Sequence, residues 1–192
     1  MFNKSYFIIL LTIIAVGCEK KEIKKEVAEL KANIEIFVVT KGAQNIKLGA
    51  VNVQAIPLDD YNIYLSEKSA VREKKEKEYQ EIIDWNVSDS EECKNAVANK
   101  KALELNFLPD LYTYLPVAYT SGLTNSEGRC ELKLPSSQRW VIVATSNRYV
   151  VSEKEKYFWF VPLPMNFQTN DTLILSNNNF LTSSEDIPTL LD

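Results

Sequence analysis

The chain has 192 residues, of which 45% are apolar, 25% charged and 10% aromatic, with 5 Gly, 7 Pro and no histidine. That composition belongs to one globular domain with length to spare and excludes a disordered or collagen-like chain. With no imidazole and a formal net charge of -4, it also excludes Ser-His-Asp and Cys-His relays, His-ligated zinc, and the basic footprint of a nucleic-acid binder.

Met1 to Cys18 opens with one cation, Lys4, runs through the apolar stretch Tyr6 to Ile14, and closes on Ala15-Val16-Gly17-Cys18. A helix needs about 20 apolar residues to cross a bilayer, so this run matches the hydrophobic core of a signal peptide instead. The charged stretch Glu19 to Glu26 follows at once. The ending resembles the lipobox of bacterial lipoproteins, in which small residues precede a cysteine that is acylated on sulfur and becomes the mature N-terminus. That resemblance implies a signal peptide over 1–17, lipidation at Cys18, attachment to a membrane through N-terminal acyl chains, and a place in the bacterial cell envelope. Glu19 is not the aspartate that retains some lipoproteins at the inner membrane, but sorting rules differ among bacteria, so the leaflet stays open.

Residues 18–33 read as a lipidated tether. Ile23, Val27 and Leu30 fall at helical spacing, but three apolar residues in a mixed-sign background suit a solvated spacer. From Ile34 the pattern turns to strand: Ile34 to Thr40 is β-branched and aromatic, Lys41 to Asn45 supplies a turn, and Leu48 to Ile56 alternates until Pro57. Ser66 to Leu115 reads as helix. Its first half, to Ile83, is dominated by Glu and Lys, with apolar Ala70, Val71, Tyr79, Ile82 and Ile83. Its second half opens on Ser88-Asp-Ser-Glu91, a capping-box pattern, and carries Cys93, Ala96, Val97, Lys100, Leu103 and Phe107 along one face before Pro109. This segment is either a helical insertion packed across a sheet or an arm that binds a partner, with Trp85 between the helices as the best contact.

Strand grammar resumes near Ala118. Arg129 to Leu134 alternates, Trp140 to Thr145 and Tyr157 to Val161 are apolar on both faces, and Thr172 to Leu175 closes the series. Short strands with turns between them predict a mainly β fold, an antiparallel sandwich. The two doubly apolar strands need a cover on the outside of their sheet, and the helical segment is the available one. The domain division is a β-sandwich over 34–180 with a helical insertion at about 66–115, and a C-terminal tail over 181–192.

Thr120 to Pro135, followed by Trp140 to Arg148, resembles carboxypeptidase-regulatory-like domains, also called transthyretin-like or CNA-B-like. Their recurring pattern is a Thr-Asp-x-x-Gly turn, an alternating strand, a break, and a strand ending in Ala. Asn125 stands in the Asp position, Gly128 fills the turn, Leu132 and Leu134 point inward, and Ala144 ends the hydrophobic run. Upstream, Leu48 to Val53 is similar to the family's early strand, so the resemblance covers 34–58 and 118–176, with the helical insert as a departure. It implies a prealbumin-type or immunoglobulin-like sandwich used as an extracytoplasmic spacer, adhesion or binding module. The hydroxyisourate hydrolases and intradiol dioxygenases of that fold need histidines that this chain lacks. Isopeptide-forming relatives use a Lys, an Asn and a carboxylate that fall in no recognisable motif here.

Cys93 and Cys130 are either a candidate disulfide, closing a loop of about 38 residues and worth about 4 kcal/mol in the chain-entropy model, or two buried thiols acting as small hydrophobes. Asp59-Asp60 and Ser184-Glu185-Asp186 lack the oxygen-rich loop that calcium requires and read as solvated acidic loops, so no metal site is assigned. Tyr157 to Phe160 suits burial better than a sugar platform, and Asn177 to Asn179 reads as a turn or strand end. These readings favour a non-catalytic, surface-anchored structural or interaction module without a cofactor, its partner an envelope protein or glycan. The alternative is a carbohydrate- or peptide-binding lipoprotein that uses Trp85 and Trp159 as contacts.

Overall fold

A computed structural model describes residues 28–150 and 153–181. Along the chain the elements are β1 (Glu29–Val39), β2 (Asn45–Lys47), β3 (Asn52–Pro57), α1 (Leu58–Trp85), α2 (Glu91–Thr113), β4 (Thr120–Leu123), β5 (Arg129–Pro135), β6 (Trp140–Val150), β7 (Glu153–Pro162), β8 (Thr172–Leu175) and β9 (Phe180–Leu181). Helices of 28 and 23 residues make the fold mixed α/β, which corrects the mainly β expectation. The composition of the insert was read correctly as helical, but its share of the chain outweighs a mainly β label.

Two sheets face each other. In the first, β1 is central. It pairs antiparallel with β5 from Glu29↔Pro135 to Glu35↔Arg129, antiparallel with β2 at its far end, and parallel with β8 from Asn33↔Thr172 to Ile36↔Leu175. The second sheet runs β4-β3-β6-β7-β9. Side-chain alternation sends Ala32, Ile34, Ile36 and Val38 of β1 and Leu132 and Leu134 of β5 against Val53, Ala55, Trp140, Ile142, Ala144 and Trp159 of the second sheet, and all are buried. Burying residues of this size contributes about 1.5–3 kcal/mol each for the larger side chains.

The opposite face of the second sheet is apolar as well, and there the helices lie. Val141, Val143, Phe158 and Phe160 pack against Leu58 and Tyr61 of α1 and Phe107, Leu108 and Leu111 of α2. The Tyr61 and Phe160 rings lie 5.9 Å apart, and the Tyr64 hydroxyl donates to the Leu111 carbonyl at 2.8 Å, locking the helix bases together. Strands apolar on both faces thus have a sheet on one side and helices on the other.

Several boundaries differ from the sequence reading. β1 begins at Glu29 and not at Ile34, so residues 29–33 belong to the sheet; Leu30 and Ala32 already alternate with Glu29, Lys31 and Asn33, a period masked by the charges. The insertion starts at Leu58 and not near Ser66, because Leu58, Tyr61 and Leu65 share the apolar face, while Asp59 and Asp60 sit in the first turn, where the helix dipole favours acids. The cap of α2 is Ser90, whose Oγ accepts from the Cys93 N–H at 3.2 Å, rather than Ser88. Pro109 does not end α2: the helix continues to Thr113, because burial of Phe107, Leu108 and Leu111 offsets the missing backbone bond.

One end of the sandwich gathers the start of β1, the end of β5, the start of β6 and the end of β7. Ser136 N–H donates to the Ala28 carbonyl at 2.9 Å, Leu163 N–H to Trp140 at 2.8 Å, Asn170 N–H to Lys31 at 2.9 Å, and Leu58 N–H to Arg139 at 3.0 Å. This is where the chain enters from its N-terminal segment. Towards the opposite end, β6 and β7 run on together from Thr145 to Val150 beyond the reach of β3.

Candidate functional site

Only the bases of the two helices touch the sheet. From α1 the buried or partly buried packing residues are Leu58, Tyr61, Tyr64 and Leu65, and from α2 they are Phe107, Leu108, Leu111 and Tyr112. The remainder is a two-helix arm. Its inner seam carries the buried Cys93 and Ala96 and the bond from Lys100 Nζ to Gln80 Oε1 at 2.7 Å. Its outer faces hold the exposed i,i+4 pair Lys74–Glu78 at 4.0 Å, and the less exposed Arg72–Glu76 pair at 2.8 Å lies nearer the base. Arg72 also lies 4.9 Å over the Phe107 ring, where the arm meets its base.

The turn that joins the helices is open to solvent and presents an aromatic and an aliphatic side chain among the polar residues Asn86, Ser88 and Asp89. Trp85 is 87% exposed and Val87 is 77% exposed, with Ile82 beside them on the last turn of α1. An indole that exposed has no packing role in the fold. A continuous helix of 28 residues is about 42 Å long, so the tip stands about 40 Å along the helix axis from Leu58 and the sandwich end where α1 begins.

The two tryptophans named as contacts separate. Trp159 is fully buried between the sheets, and its indole N–H donates to the Ser176 carbonyl at 3.0 Å. It stacks on Tyr157 with ring centroids 5.8 Å apart. As a ligand contact Trp159 is therefore corrected to a core residue, because the sheet alternation that exposes a face to ligand here turns it inward. Of the two, Trp85 is the one that stays open to solvent. Val87 was missed because it lies outside both helices, where periodicity gives no signal.

Cys93 and Cys130 are both free thiols on different layers: Cys93 is buried in the arm and Cys130 lies on β5 beside the intersheet core. The candidate disulfide is thereby corrected to two separate thiols. Burial pushes the Cys130 thiol up to about 11, which keeps it protonated and poorly nucleophilic at neutral pH. Cys18, the signal peptide, residues 18–27 of the tether and residues 182–192 of the tail lie outside the described residues.

Two concavities stand out among the described residues. A groove of about 580 Å³ runs over the outer face of the first sheet, lined by Asn33, Glu35, Asn125, Arg129, Glu131 and Thr172. Its central carboxylate, Glu35, bonds Lys47 and lies 3.2 Å from Arg129 Nε. The Lys47 hydrogen bond, opposed by burial and aided by the charges of Lys47 and Arg129, holds Glu35 below its ordinary value. A carboxylate so held is an ion-pair acceptor and a poor proton donor at neutral pH. The second, a cleft of about 220 Å³ at the chain-entry end, is lined by Leu30, Arg139, Trp140, Leu163, Met165 and Phe167 among others. It is smaller than the usual small-molecule site of about 300–1,000 Å³.

Among the described residues no three His, Cys, Asp or Glu side chains converge to hold a metal ion, and no helix is long and apolar enough to cross a membrane. Compared with family models, curated proteins and solved structures, the chain matches none.

Proposed function

We propose that the chain is an acylated envelope protein, anchored through Cys18, whose sandwich is a rigid base for a helical arm that binds a partner through its tip. The observation that carries this reading is the solvent-open pair Trp85 and Val87, held about 40 Å along α1 from its base by a helix whose distal part packs on no sheet. Aromatic anchors dominate protein interfaces, and the exposed indole with Ile82 and Val87 beside it supplies such an anchor, with Asn86, Ser88 and Asp89 as the polar rim such patches carry. The role is presentation and binding, without catalysis.

The sandwich itself supports kinship with carboxypeptidase-regulatory-like modules of prealbumin type. The residues of the resemblance take turn-building roles: the Asn125 side chain accepts from the Glu127 and Arg129 N–H groups at 3.0 Å each, and Gly128 adopts φ 70°. Thr124 Oγ1 donates to the Leu48 carbonyl at 2.7 Å and accepts from the Val51 N–H at 2.9 Å, joining the two matched segments.

The test places a photo-crosslinking residue at position 85 of the full chain in cells, with position 73 on the same arm as control. A discrete crosslinked species at 85, absent at 73 and lost on Val87→Asp, is expected. Crosslinking that is equal at both positions contradicts the reading. Palmitate labelling that is lost in Cys18→Ala is expected of the anchor, and labelling that persists there removes it.

A further inference from the structure

We infer that the chain-entry end of the sandwich is a lipid-contacting surface, so that the protein rests on the bilayer through this end. The inference rests on the acylation of Cys18 proposed above. Ten residues separate Cys18 from Glu29, the first residue of β1. Even fully extended they reach about 35 Å, at 3.3–3.6 Å per residue. The end of the sandwich that receives this tether is therefore held within about 35 Å of the acylated residue, whichever way the domain turns.

What lies at that end suits the interface. Val117 is 92% exposed and Met165 is 86% exposed. Tyr119, more than half exposed, packs its ring at a tilt of 52° against Trp140, with ring centroids 5.0 Å apart. Trp140 and Met165 line the same cleft, and the Leu163 N–H is bonded to the Trp140 carbonyl, so the loops before β4 and after β7 converge on one tryptophan. Single exposed apolar residues are ordinary on any surface. Two nearly bare aliphatic side chains and a tyrosine, carried by the loops that meet at Trp140, lie at the end of the sandwich where β1 begins.

The chemistry matches the boundary layer of a bilayer. Val117 and Met165 would bury in the acyl region, and Tyr119 presents an amphipathic ring of the kind that favours the headgroup level. Exposed Arg139, with Ser136, Ser137 and Gln138, rims the cleft with groups that hydrogen-bond headgroup oxygens. Multiple acyl chains already secure attachment. The loops accordingly set orientation and not affinity. Trp85 lies about 40 Å along α1 from Leu58 and is no part of this patch.

The full acylated chain is reconstituted in phosphatidylcholine–phosphatidylglycerol vesicles that contain a lipid with a photoreactive diazirine in its acyl chain. After irradiation, lipid adducts are mapped by mass spectrometry while a parallel sample is floated on a density gradient. About tenfold more adduct is expected on peptides containing Val117 and Met165 than on the peptide containing Trp85. Chains that float without adducts at 117 and 165, or with equal adducts at 85, overturn the inference and leave the anchor standing. Chains that carry no palmitate and do not float remove the anchor, and the inference with it. Val117→Ser with Met165→Ser is expected to float as before while the adducts at this end fall several-fold, an outcome that a purely structural role for these exposed side chains would not produce.

Discussion

The side-chain amide of Asn177 stands in for a strand beside Val39: its Oδ1 accepts from the Val39 N–H at 2.6 Å, and its Nδ2 donates to the Val39 carbonyl at 3.1 Å. The next but one residue works similarly on its own strand, since Asn179 Oδ1 accepts from the Ser176 N–H at 2.8 Å and its Nδ2 donates to the Ile174 carbonyl at 2.7 Å. β8 pairs with β1 on one side, and these amides satisfy backbone groups where its ladder stops.

Asn177→Ala is expected to cost about 1–2 kcal/mol, the net worth of two partly exposed hydrogen bonds. Asn177→Asp should cost at least as much, because a carboxylate keeps the acceptor but sets a second acceptor against the Val39 carbonyl. Urea titrations of the two variants measure both. An aspartate variant as stable as the parent would contradict the role of the donor.

Gly128 closes the turn before β5 at φ 70°, and a Cβ there would collide with the Ile36 carbonyl oxygen, which sits on the backbone of β1 and cannot step aside. Gly128→Ala is expected to lose about 2 kcal/mol or more, combining left-handed strain with displacement of β1. Asn125→Ala, which leaves the Glu127 and Arg129 N–H groups to water, should lose about 1 kcal/mol. Thermal melts that rank the two in the reverse order would place the strain elsewhere.

Tyr61 is fully buried, yet its hydroxyl has no hydrogen-bond partner among the described residues, and burial pushes its ionisation well above the ordinary tyrosine range. Leaving a polar group unsatisfied carries a desolvation penalty of about 1–3 kcal/mol. Tyr61→Phe keeps the ring against Phe160 and removes the penalty. The variant is expected to be as stable as the parent or up to about 1 kcal/mol more stable. A clear destabilisation in chemical denaturation would reveal a partner for the hydroxyl.

Cys130 titrates near 11 in the fold because of burial, above the ordinary thiol range. The folded state therefore keeps its proton at pH values where the unfolded chain has released it. The stability from this group is fully present below the ordinary thiol value and declines as pH rises towards 11. Cys130→Ala is expected to flatten the fall in melting temperature between about pH 8.5 and pH 10, before the buried tyrosines contribute. In the native protein the half-buried, protonated thiol should react with a disulfide reagent at pH 8 more slowly than in the unfolded chain. A native rate equal to the unfolded one would contradict its raised pKa.

Much of this architecture is written locally. The apolar run that ends at Cys18, the alternation of Arg129 to Leu134, and the helical composition between the strand groups are all visible in short windows, because side-chain period reflects backbone geometry directly. The need for a cover was legible too: Val141 and Val143 opposite Ile142 and Ala144 call for apolar contact on both faces, and both faces receive it. Local periodicity stops at questions of partnership. It could not distinguish Trp85 from Trp159, since burial depends on which layer lies across from the ring, nor separate Cys93 from Cys130, which the fold sends to an arm and a sheet. It misplaced the start of β1, because Glu29 and Lys31 are charged and only pairing with Pro135 and Lys133 makes them strand. The amides of Asn177 and Asn179 read as a bare turn until β1 arrives beside them, from a segment 138 residues away in the case of Val39 and Asn177. The sequence by itself determined the period and polarity of each segment; the packing of layers decided which faces met, and so which of its aromatic and polar groups were left to meet a partner.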